Sequence, residues 1–270
     1  MQHDQPFDMA RIARAVTSVS TAAFPEALTA LCQAAFAFDS LFVSVFSQDQ
    51  APRQLYSNLD DDATRRTIGP YLSYAYLLDP FYGLFKSEVG TLVVSLDECA
   101  PDDFRSTEYY RMFYSDTGLR DEVTIFVAAA PGSSIVLSLG QRAFRRPRPP
   151  SACDPLKTLL PVIAALCTKH WPDLKELANL PNDGPNFDRI DMPKLSVREA
   201  EVVRLMLKGH STKSMARMLG NSPETVKVHR KRIYSKLGIC SQGELFSRFL
   251  GPQEWAAIAP AADPQVGLLN

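Results

Sequence analysis

The stretch NSPETVKVHRKRIYSKLG, residues 221–238, decides how the last part of this 270-residue chain folds. Ser222 can cap a helix, and Pro223 suits the first helical position, where a missing N–H costs nothing. Glu224 follows in the first turn, where the helix dipole favours negative charge. These signals predict a helix that begins at residue 223.

The predicted helix has an apolar face and a basic face. Its apolar residues recur at helical spacing and are Val226, Ile233 and Leu237. Its basic residues fall within ten positions and are Lys227, Arg230, Lys231, Arg232 and Lys236. A helix that is anchored by one face and offers bases on the other has the shape that enters a DNA major groove. Taken alone, the basic run also fits an ordinary solvated surface.

The residues around this helix supply the other parts of a helix-turn-helix. Ser196 and Glu199 form a capping box that starts one helix, and residues 212–219 have the pattern of a second. Gly220-Asn221 makes a tight turn before the basic helix, and a last helix is predicted over 241–250. The order of short helix, glycine turn and basic helix predicts a DNA-binding domain.

Charge is unevenly distributed along the chain, whose formal net charge is -1. From residue 194 to residue 250 there are 12 Lys and Arg against 4 Asp and Glu, a net of +8, whereas the remainder carries a net of -9. This asymmetry is typical of a chain in which one domain meets a polyanion and the other does not. Turn-forming residues at 180–186 indicate a linker between the two parts.

The predicted domain organisation follows from these observations. It consists of a ligand-sensing and dimerisation domain at 1–175, a linker at 176–193, a DNA-binding domain at 194–250 and a tail at 251–270. The predicted fold class is α+β, with an N-terminal α/β/α sandwich followed by an all-α helix-turn-helix domain of about four helices. In the first domain, helices are expected at 8–37, 62–78, 106–117 and 155–171, with strands at 41–47, 54–58, 91–96, 122–130 and 133–140.

The segment LSVREAEVVRLMLKGHSTKSMARMLGNSPETVKVHRKRIYSKLGICSQGEL, residues 195–245, resembles the C-terminal DNA-binding domain of LuxR-type transcription regulators. The motifs that carry the resemblance are the leading L-S-x-R-E, the G-x-S-x-K-x-x-A of the second helix, the T-V-K-x-H of the third and the K-L-G after it. The resemblance implies that Lys227, Val228 and Lys231 read bases. It also implies phosphate contacts by Thr225, Arg230 and Lys236.

A single helix-turn-helix reads only a few base pairs, so a homodimer on double-stranded DNA with a near-palindromic operator is expected. RNA polymerase is a further candidate partner. Ser214 and Met215 depart from the residues that the family commonly has in the second helix.

The first domain has an excess of tyrosine and phenylalanine around residues 71–114, which suits a pocket with apolar walls and hydrogen-bonding tips. Its Asp79-Pro80 step, preceded by tyrosines, resembles the autoinducer-binding domain of the same family, in which the aspartate accepts a ligand N–H. A GAF- or PAS-like sensory domain is the related alternative. The candidate ligand-binding residues are Tyr71, Tyr74, Asp79, Tyr82, Phe104 and Tyr110.

The tryptophans that typically wall a homoserine lactone are absent at the expected places, so the expected small-molecule effector is not a typical acyl-homoserine lactone. The leading hypothesis is a ligand-controlled, quorum-sensing-like transcription regulator. The alternative is a regulator whose first domain binds a protein partner or only dimerises. The buried aromatic residues also fit an ordinary core, and Asp79 also fits an ordinary helix start.

Other classes of protein are disfavoured by the sequence. There is no G-x-S-x-G, no P-loop and no Cys/His pairing at useful spacing, so the chain is not expected to be an enzyme. No catalytic residue, metal site or cofactor is predicted. The N-terminus has acids where a signal peptide has bases, and Gln33 and Asp39 interrupt the first apolar run. A cytoplasmic protein is therefore expected.

Overall fold

The computed structural model describes residues 8–48, 50–60, 67–73, 75–102, 104–115, 117–142, 149–172, 174, 187, 190–207, 210, 212–240 and 242–250. Within them the chain forms an N-terminal domain built on a five-stranded sheet and a C-terminal group of four helices. The predicted fold class is confirmed. No helix among these residues has the length and apolar character needed to cross a membrane.

The sheet is antiparallel throughout, with the strands in the order β2-β1-β5-β4-β3. The strands are β1 Ser40–Ser47, β2 Gln50–Ser57, β3 Leu92–Ser95, β4 Asp121–Ala130 and β5 Ser133–Gln141. The predicted hairpin between β4 and β5 is present and turns at Pro131-Gly132, where Gly132 has a φ of 72°. Glycine adopts this left-handed conformation without a steric cost.

One face of the sheet is aliphatic. Alternate residues of β1, β4 and β5 supply it, and they are Leu41, Val43, Val45, Val123, Ile125, Val127, Ile135, Leu137 and Leu139. Three helices cover this face: α1 Met9–Ser18, α2 Phe24–Ala35 and α7 Asp154–His170. Phe24, Leu28 and Ile163 are fully buried there. This layer is an ordinary hydrophobic core, and the buried hydroxyls of Ser18 and Thr29 in its helices donate to backbone carbonyls of the same helix.

The opposite face is covered by short elements. They are α3 Gly69–Ser73, a 3-10 turn Ala75–Leu78, α4 Pro80–Phe85, α5 Leu96–Cys99, a 3-10 turn Phe104–Ser106, α6 Glu108–Tyr110 and a π-helical turn Arg111–Ser115. The prediction of one helix over 62–78 is wrong across its described part, because α3 ends before a separate 3-10 turn. The helix predicted over 106–117 is likewise divided. Short turns of this kind let several aromatic side chains converge on one region.

The C-terminal group consists of α8 Val197–Leu207, α9 Thr212–Met218, α10 Pro223–Leu237 and α11 Gln242–Leu250. Their buried side chains include Val203, Met215, Val226, Ile233 and Leu245. The apolar face predicted for the basic helix is therefore its packed face. Leu245 and Phe249 of α11 are buried in the core, and the Phe246 side chain lies outside the described residues.

Gly140 of β5 lies close to Leu119, in the chain that covers the sheet, and to Ser40 of β1. A Cβ at this position would lie 2.6 Å from Leu119 Cδ1 and 2.6 Å from Ser40 Oγ. We expect Gly140→Ala to lower the free energy of unfolding by about 1–3 kcal/mol, because the added methyl group overpacks this contact. Urea denaturation of the full chain measures the change.

Gly83→Ala is the matched control. Gly83 lies inside α4, and nothing is within 4 Å of an added Cβ. This variant is expected to gain about 0.5–1 kcal/mol, because alanine restricts the unfolded chain and favours the helix. Equal stabilities of the two variants would contradict the close contact at Gly140.

Candidate functional site

The basic helix α10 is fixed at both ends by local interactions. The Ser222 hydroxyl accepts a hydrogen bond from the backbone N–H of Thr225 at 3.1 Å, and Pro223 occupies the first helical position. At the other end Gly238 adopts a left-handed conformation with a φ of 67°, which ends the helix. The turn before α10 is closed by a 2.8 Å bond from the N–H of Asn221 to the carbonyl of Ala216. The helix-turn-helix geometry thus follows from the sequence signals at these positions.

Side chains of two kinds lie outside the packed face of α10: some have no partner among the described residues, and others bind neighbouring helices. Lys227, Val228 and Lys231 are exposed, and neither lysine has a side-chain partner among the described residues. Arg230 instead donates hydrogen bonds to Thr212 of α9, to Tyr234 and to Gln242 of α11. The exposed residues form one outward surface, and Arg230 ties α10 to its neighbours.

Lys236 also has a partner inside the domain. Its ammonium lies 2.6 Å from Oε2 of Glu199, a residue that is only 4% exposed. The same carboxylate accepts the Ser196 N–H at 2.8 Å, so one buried group joins the start of α8 to the end of α10. The hydrogen bond from Lys236 and then that from Ser196 lower the pKa of Glu199 to about 2. The phosphate contacts of Arg230 and Lys236 stay predictions.

The N-terminal domain contains a cavity of about 100 Å³ between the sheet and the short elements that cover it. Its lining residues are Ser40, Phe42, Leu59, Thr67, Ile68, Tyr71, Asp79, Tyr109, Phe113, Tyr114, Leu119, Glu122, Ser138 and Gly140. Aromatic rings make up much of the wall: Phe42 meets Tyr71 edge to face at 5.9 Å, and Tyr109 stacks on Phe113 at 5.0 Å. The cavity therefore combines apolar walls with a few polar groups, as ligand sites do.

Asp79 is held in the cavity wall by the start of α4. Its Oδ1 accepts the N–H of Phe81 at 2.9 Å, which caps the helix, and its Oδ2 accepts the hydroxyl of Tyr71 at 2.6 Å. Asp79 thus caps the helix with one oxygen and also lines the cavity, and its contact with a ligand stays a prediction.

Glu122 is a second carboxylate in the same cavity. Its Oε2 accepts the hydroxyl of Tyr114 at 2.8 Å, and its Oε1 accepts that of Thr124 at 3.3 Å. Burial, followed by the charge of Glu122, raises the pKa of Asp79 from 3.8 to about 7, although the bonds from Tyr71 and Phe81 oppose this change. Burial also raises the pKa of Glu122. Each carboxylate is therefore costly to ionise in this site.

The candidate ligand-binding residues fall into three groups in the structure. Tyr71 and Asp79 line the cavity. Tyr82 is buried against Phe46, and Phe104 is buried against several tyrosines, so neither is among the lining residues. Tyr110 is partly buried and stacks on the lining residue Tyr114, but Tyr110 itself does not line the cavity. Tyr74 lies outside the described residues.

The sequence does not indicate Glu122 and Ser138 as pocket residues, whereas Tyr109 and Tyr114 belong to the aromatic excess that predicts a pocket without being among the candidate ligand-binding residues. A signal for Glu122 and Ser138 exists in the strands. Alternate residues of β1, β4 and β5 form a second set that contains Ser40, Ser44, Glu122, Thr124 and Ser138 beside aromatic residues. A strand face that carries serine and glutamate is typical of a solvated surface, but helices cover this one. Polar residues on a covered face indicate a pocket.

A helix-turn-helix with an exposed basic face, attached to an α/β/α domain that contains an internal pocket, defines the chain as a two-domain transcription regulator. Comparison with known proteins supports this class. A family model for bacterial regulatory proteins of the luxR family matches residues 193–249. The chain is 31% identical over 154 residues to an HTH-type transcriptional regulator in the exeN 3' region of Aeromonas salmonicida, a match that covers 53% of this chain and 79% of that protein.

Two further similarities extend into the N-terminal domain. The monoamine regulon transcriptional regulator of Klebsiella aerogenes is 24% identical over 216 residues, covering 77% of this chain and 82% of that protein. The crystal structure of the VqsR LBD domain from Pseudomonas aeruginosa superimposes with a TM-score of 0.53 and 22% identity, over 60% of this chain and 94% of that one. The chain belongs to the luxR family of bacterial regulatory proteins. It is a transcription regulator and not an enzyme, as predicted.

The pairing of Lys236 with Glu199 predicts a defect in folding when the lysine is removed. Lys236→Ala leaves a buried carboxylate without its cation, so we expect a loss of about 1 kcal/mol at neutral pH, an amount limited by the solvent exposure of the lysine. Lys231→Ala, on the same helix, is expected to leave the melting temperature unchanged.

Because the pKa of Glu199 is lowered, the stabilisation from its pairing with Lys236 is present above pH 4.5 and is lost as the pH falls towards 2. Thermal melts from neutral to acidic pH test this, and an equal effect of both variants would contradict it.

The raised pKa of Asp79 predicts the opposite pH dependence for the stability of the N-terminal domain. Its pKa is raised from 3.8 to about 7, so it favours the folded state most at low pH, and this contribution is lost as the pH rises through that interval. We expect Asp79→Asn, which keeps an oxygen for the Phe81 N–H, to become more stable relative to the unchanged protein as the pH rises to about 7. Melting temperatures of the two proteins without added ligand measure the difference. A difference that does not vary with pH would show that Asp79 is not costly to ionise.

Proposed function

We propose that this protein is a small-molecule-controlled transcription regulator that binds a near-palindromic operator as a homodimer. The observation that carries the DNA-binding part is the exposed surface formed by Lys227, Val228 and Lys231 on a helix whose other face is packed. Side chains on the outward face of the second helix of a helix-turn-helix reach base edges in the major groove. We assign base reading to these three residues.

Thr225, Arg230 and Lys236 are proposed to contact phosphates near the ends of the same surface. Thr225 lies in the first turn of α10 and is exposed, which suits a phosphate contact at a helix N-terminus. Arg230 and Lys236 have a second role, since their bonds to α8, α9 and α11 hold the reading helix in place. A change at either residue therefore alters folding as well as binding.

The observation that carries ligand control is the cavity lined by Asp79 and Glu122. We propose that residues 1–175 bind the effector and dimerise, that residues 194–250 bind DNA, and that residues 176–193 link the two. A route between the sites is suggested by α11, which packs beside α6, the short helix whose Tyr109 lines the cavity. A ligand that moves Tyr109 would displace a helix that contacts the DNA-binding domain.

Lys231→Ala is expected to cost about 1–3 kcal/mol per half-site and to relax base preference at one position of the operator. The operator is first selected from random DNA, and affinities are then measured by fluorescence anisotropy at several salt concentrations. Binding of the unchanged protein should weaken steeply with salt, by a slope of about -0.9 for each phosphate contact.

Lys169→Ala is the matched control, because Lys169 is exposed on α7 of the first domain and its loss changes the charge by the same amount. It should leave operator affinity unchanged. If Lys231→Ala weakens specific and random DNA equally, Lys231 does not read bases. A complex with one protein chain per operator in sedimentation would contradict the homodimer.

A further inference from the structure

The described residues that line the cavity of the N-terminal domain include two carboxylates and no basic side chain. Asp79 and Glu122 both line it, and its described lining contains no lysine, arginine or histidine. The groups that contact the carboxylate oxygens are a backbone N–H, that of Phe81, and hydroxyls, namely those of Tyr71, Tyr114, Thr124 and Ser138. Hydrogen bonds of this kind stabilise a carboxylate only in part, because they bring no positive charge.

A pair of buried acids that no described residue supplies with a cation is an unfavourable arrangement for the empty protein. Each acid is shielded from water, and the charge of Glu122 acts on Asp79, so ionising both at once is opposed by burial and by repulsion. Two apolar residues of similar size would form a more stable core. The arrangement becomes favourable when a bound molecule supplies the missing positive charge.

The rest of the cavity wall suits an organic cation. Phe42, Tyr71, Tyr109, Phe113 and Tyr114 bring aromatic rings to the cavity, and the faces of such rings attract ammonium groups. A hard cation such as Ca²⁺ or Mg²⁺ is disfavoured, because it takes about six or more oxygen ligands and five of the fourteen lining residues are aromatic. The cavity of about 100 Å³ selects a compact molecule.

One further polar group lies on the same side of the sheet. Ser44 follows Phe42 at the next position of β1 that faces this side, and it pairs with Val136 of β5. Its Oγ is buried and has no hydrogen-bond partner in the part of the chain that the structure describes. A buried hydroxyl without a partner is costly. Ser44 is not among the residues that line the cavity, so only a water between them could join it to a bound molecule.

We propose that the effector of this regulator is a small protonated amine with a compact apolar or aromatic body, whose ammonium group lies between Asp79 and Glu122. This inference rests on the proposed ligand control of the N-terminal domain and names the chemical class of its ligand. Glu122 is the residue that sets this class, since a single aspartate also suits a neutral ligand that donates an N–H.

The test compares three probes of nearly equal size on the full-length protein: 2-phenylethylamine, the neutral 2-phenylethanol and the anion phenylacetate. Butylamine and butanol repeat the comparison without a ring. The amines are expected to bind at least about tenfold more tightly than the alcohols in calorimetry, as charge-assisted hydrogen bonds require, and the anion is expected not to bind. The amines should also raise the melting temperature and change the affinity for the operator.

Glu122→Gln and Asp79→Asn are the informative variants, because each removes one charge and keeps the shape of the side chain. Each is expected to reduce amine affinity by about tenfold or more and to reduce the preference for the amine over the alcohol. Asp97→Asn is the control, since Asp97 is an exposed acid on α5 that pairs with Arg105 at the surface. It should leave both quantities unchanged. Melting temperatures measured without ligand are to establish that all three variants fold.

Amine affinity is also expected to increase from about pH 5.5 to about pH 8, because the carboxylates must lose their protons to hold a cation. The other titratable groups that act on the pair are Tyr71, Tyr109, Tyr114, Cys99 and Asp121. Burial raises the pKa of the three tyrosines and that of Cys99. These four groups therefore stay neutral over this range, and the affinity of the neutral alcohols should not follow the same curve.

The outcomes separate this inference from the proposed function. If the alcohols bind as tightly as the amines, or if Glu122→Gln binds amines unchanged, the cationic class is wrong. If a neutral compound such as an acyl-homoserine lactone changes operator affinity and the amines do not, the cationic class is again wrong while ligand control stands. If amines bind the cavity without any effect on operator binding, the site is correctly assigned and ligand control fails.

Discussion

The pairing of β1 with β5 is the constraint on which the rest of the N-terminal domain depends. The two strands pair without a break from Ser40 and Gly140 to Ser47 and Ser133. Because neighbouring residues of a strand point to opposite faces, this register places Leu41, Val43, Val45, Ile135, Leu137 and Leu139 against α1, α2 and α7, and Ser40, Ser44, Ser134 and Ser138 on the other side. A slip of one residue in either strand would put Ser44 or Ser138 into the aliphatic layer. The register therefore separates the stabilising core from the pocket within one sheet.

The pocket is assembled from groups that also have structural duties. Asp79 caps α4 with one oxygen and accepts the hydroxyl of Tyr71 with the other. Pro80 follows Asp79 at the first position of α4. The backbone conformation that begins this helix therefore also fixes the Asp79 carboxylate in the cavity wall. Glu122 is held in the wall by its position in β4 and by hydrogen bonds from the hydroxyls of Tyr114 and Thr124. Rigid elements thus present both acids, and the site does not need a ligand to take its shape.

The DNA-binding domain was predictable from the sequence because its signals are local. Ser222, Pro223 and Gly220 each act on neighbouring backbone groups, and the structure places them as expected. The pocket was only partly predictable. Glu122 is more than 40 positions from Asp79, and only strand pairing brings them to one cavity. Tyr82 and Phe104 have the same composition signal as pocket residues, but packing assigns them to the core.

Charge counts alone do not give the number of DNA contacts in the C-terminal domain. Arg230 and Lys236 contribute to its positive charge, yet their side chains join α10 to the other helices. Glu199 is the acidic partner in one of these contacts, since it completes the capping box with Ser196 and forms an ion pair with Lys236. A base that is satisfied inside the domain releases fewer counterions on DNA than an exposed one. The proposed reading surface is accordingly smaller than the basic run, because Arg230 and Lys236 are bound to other helices of the domain.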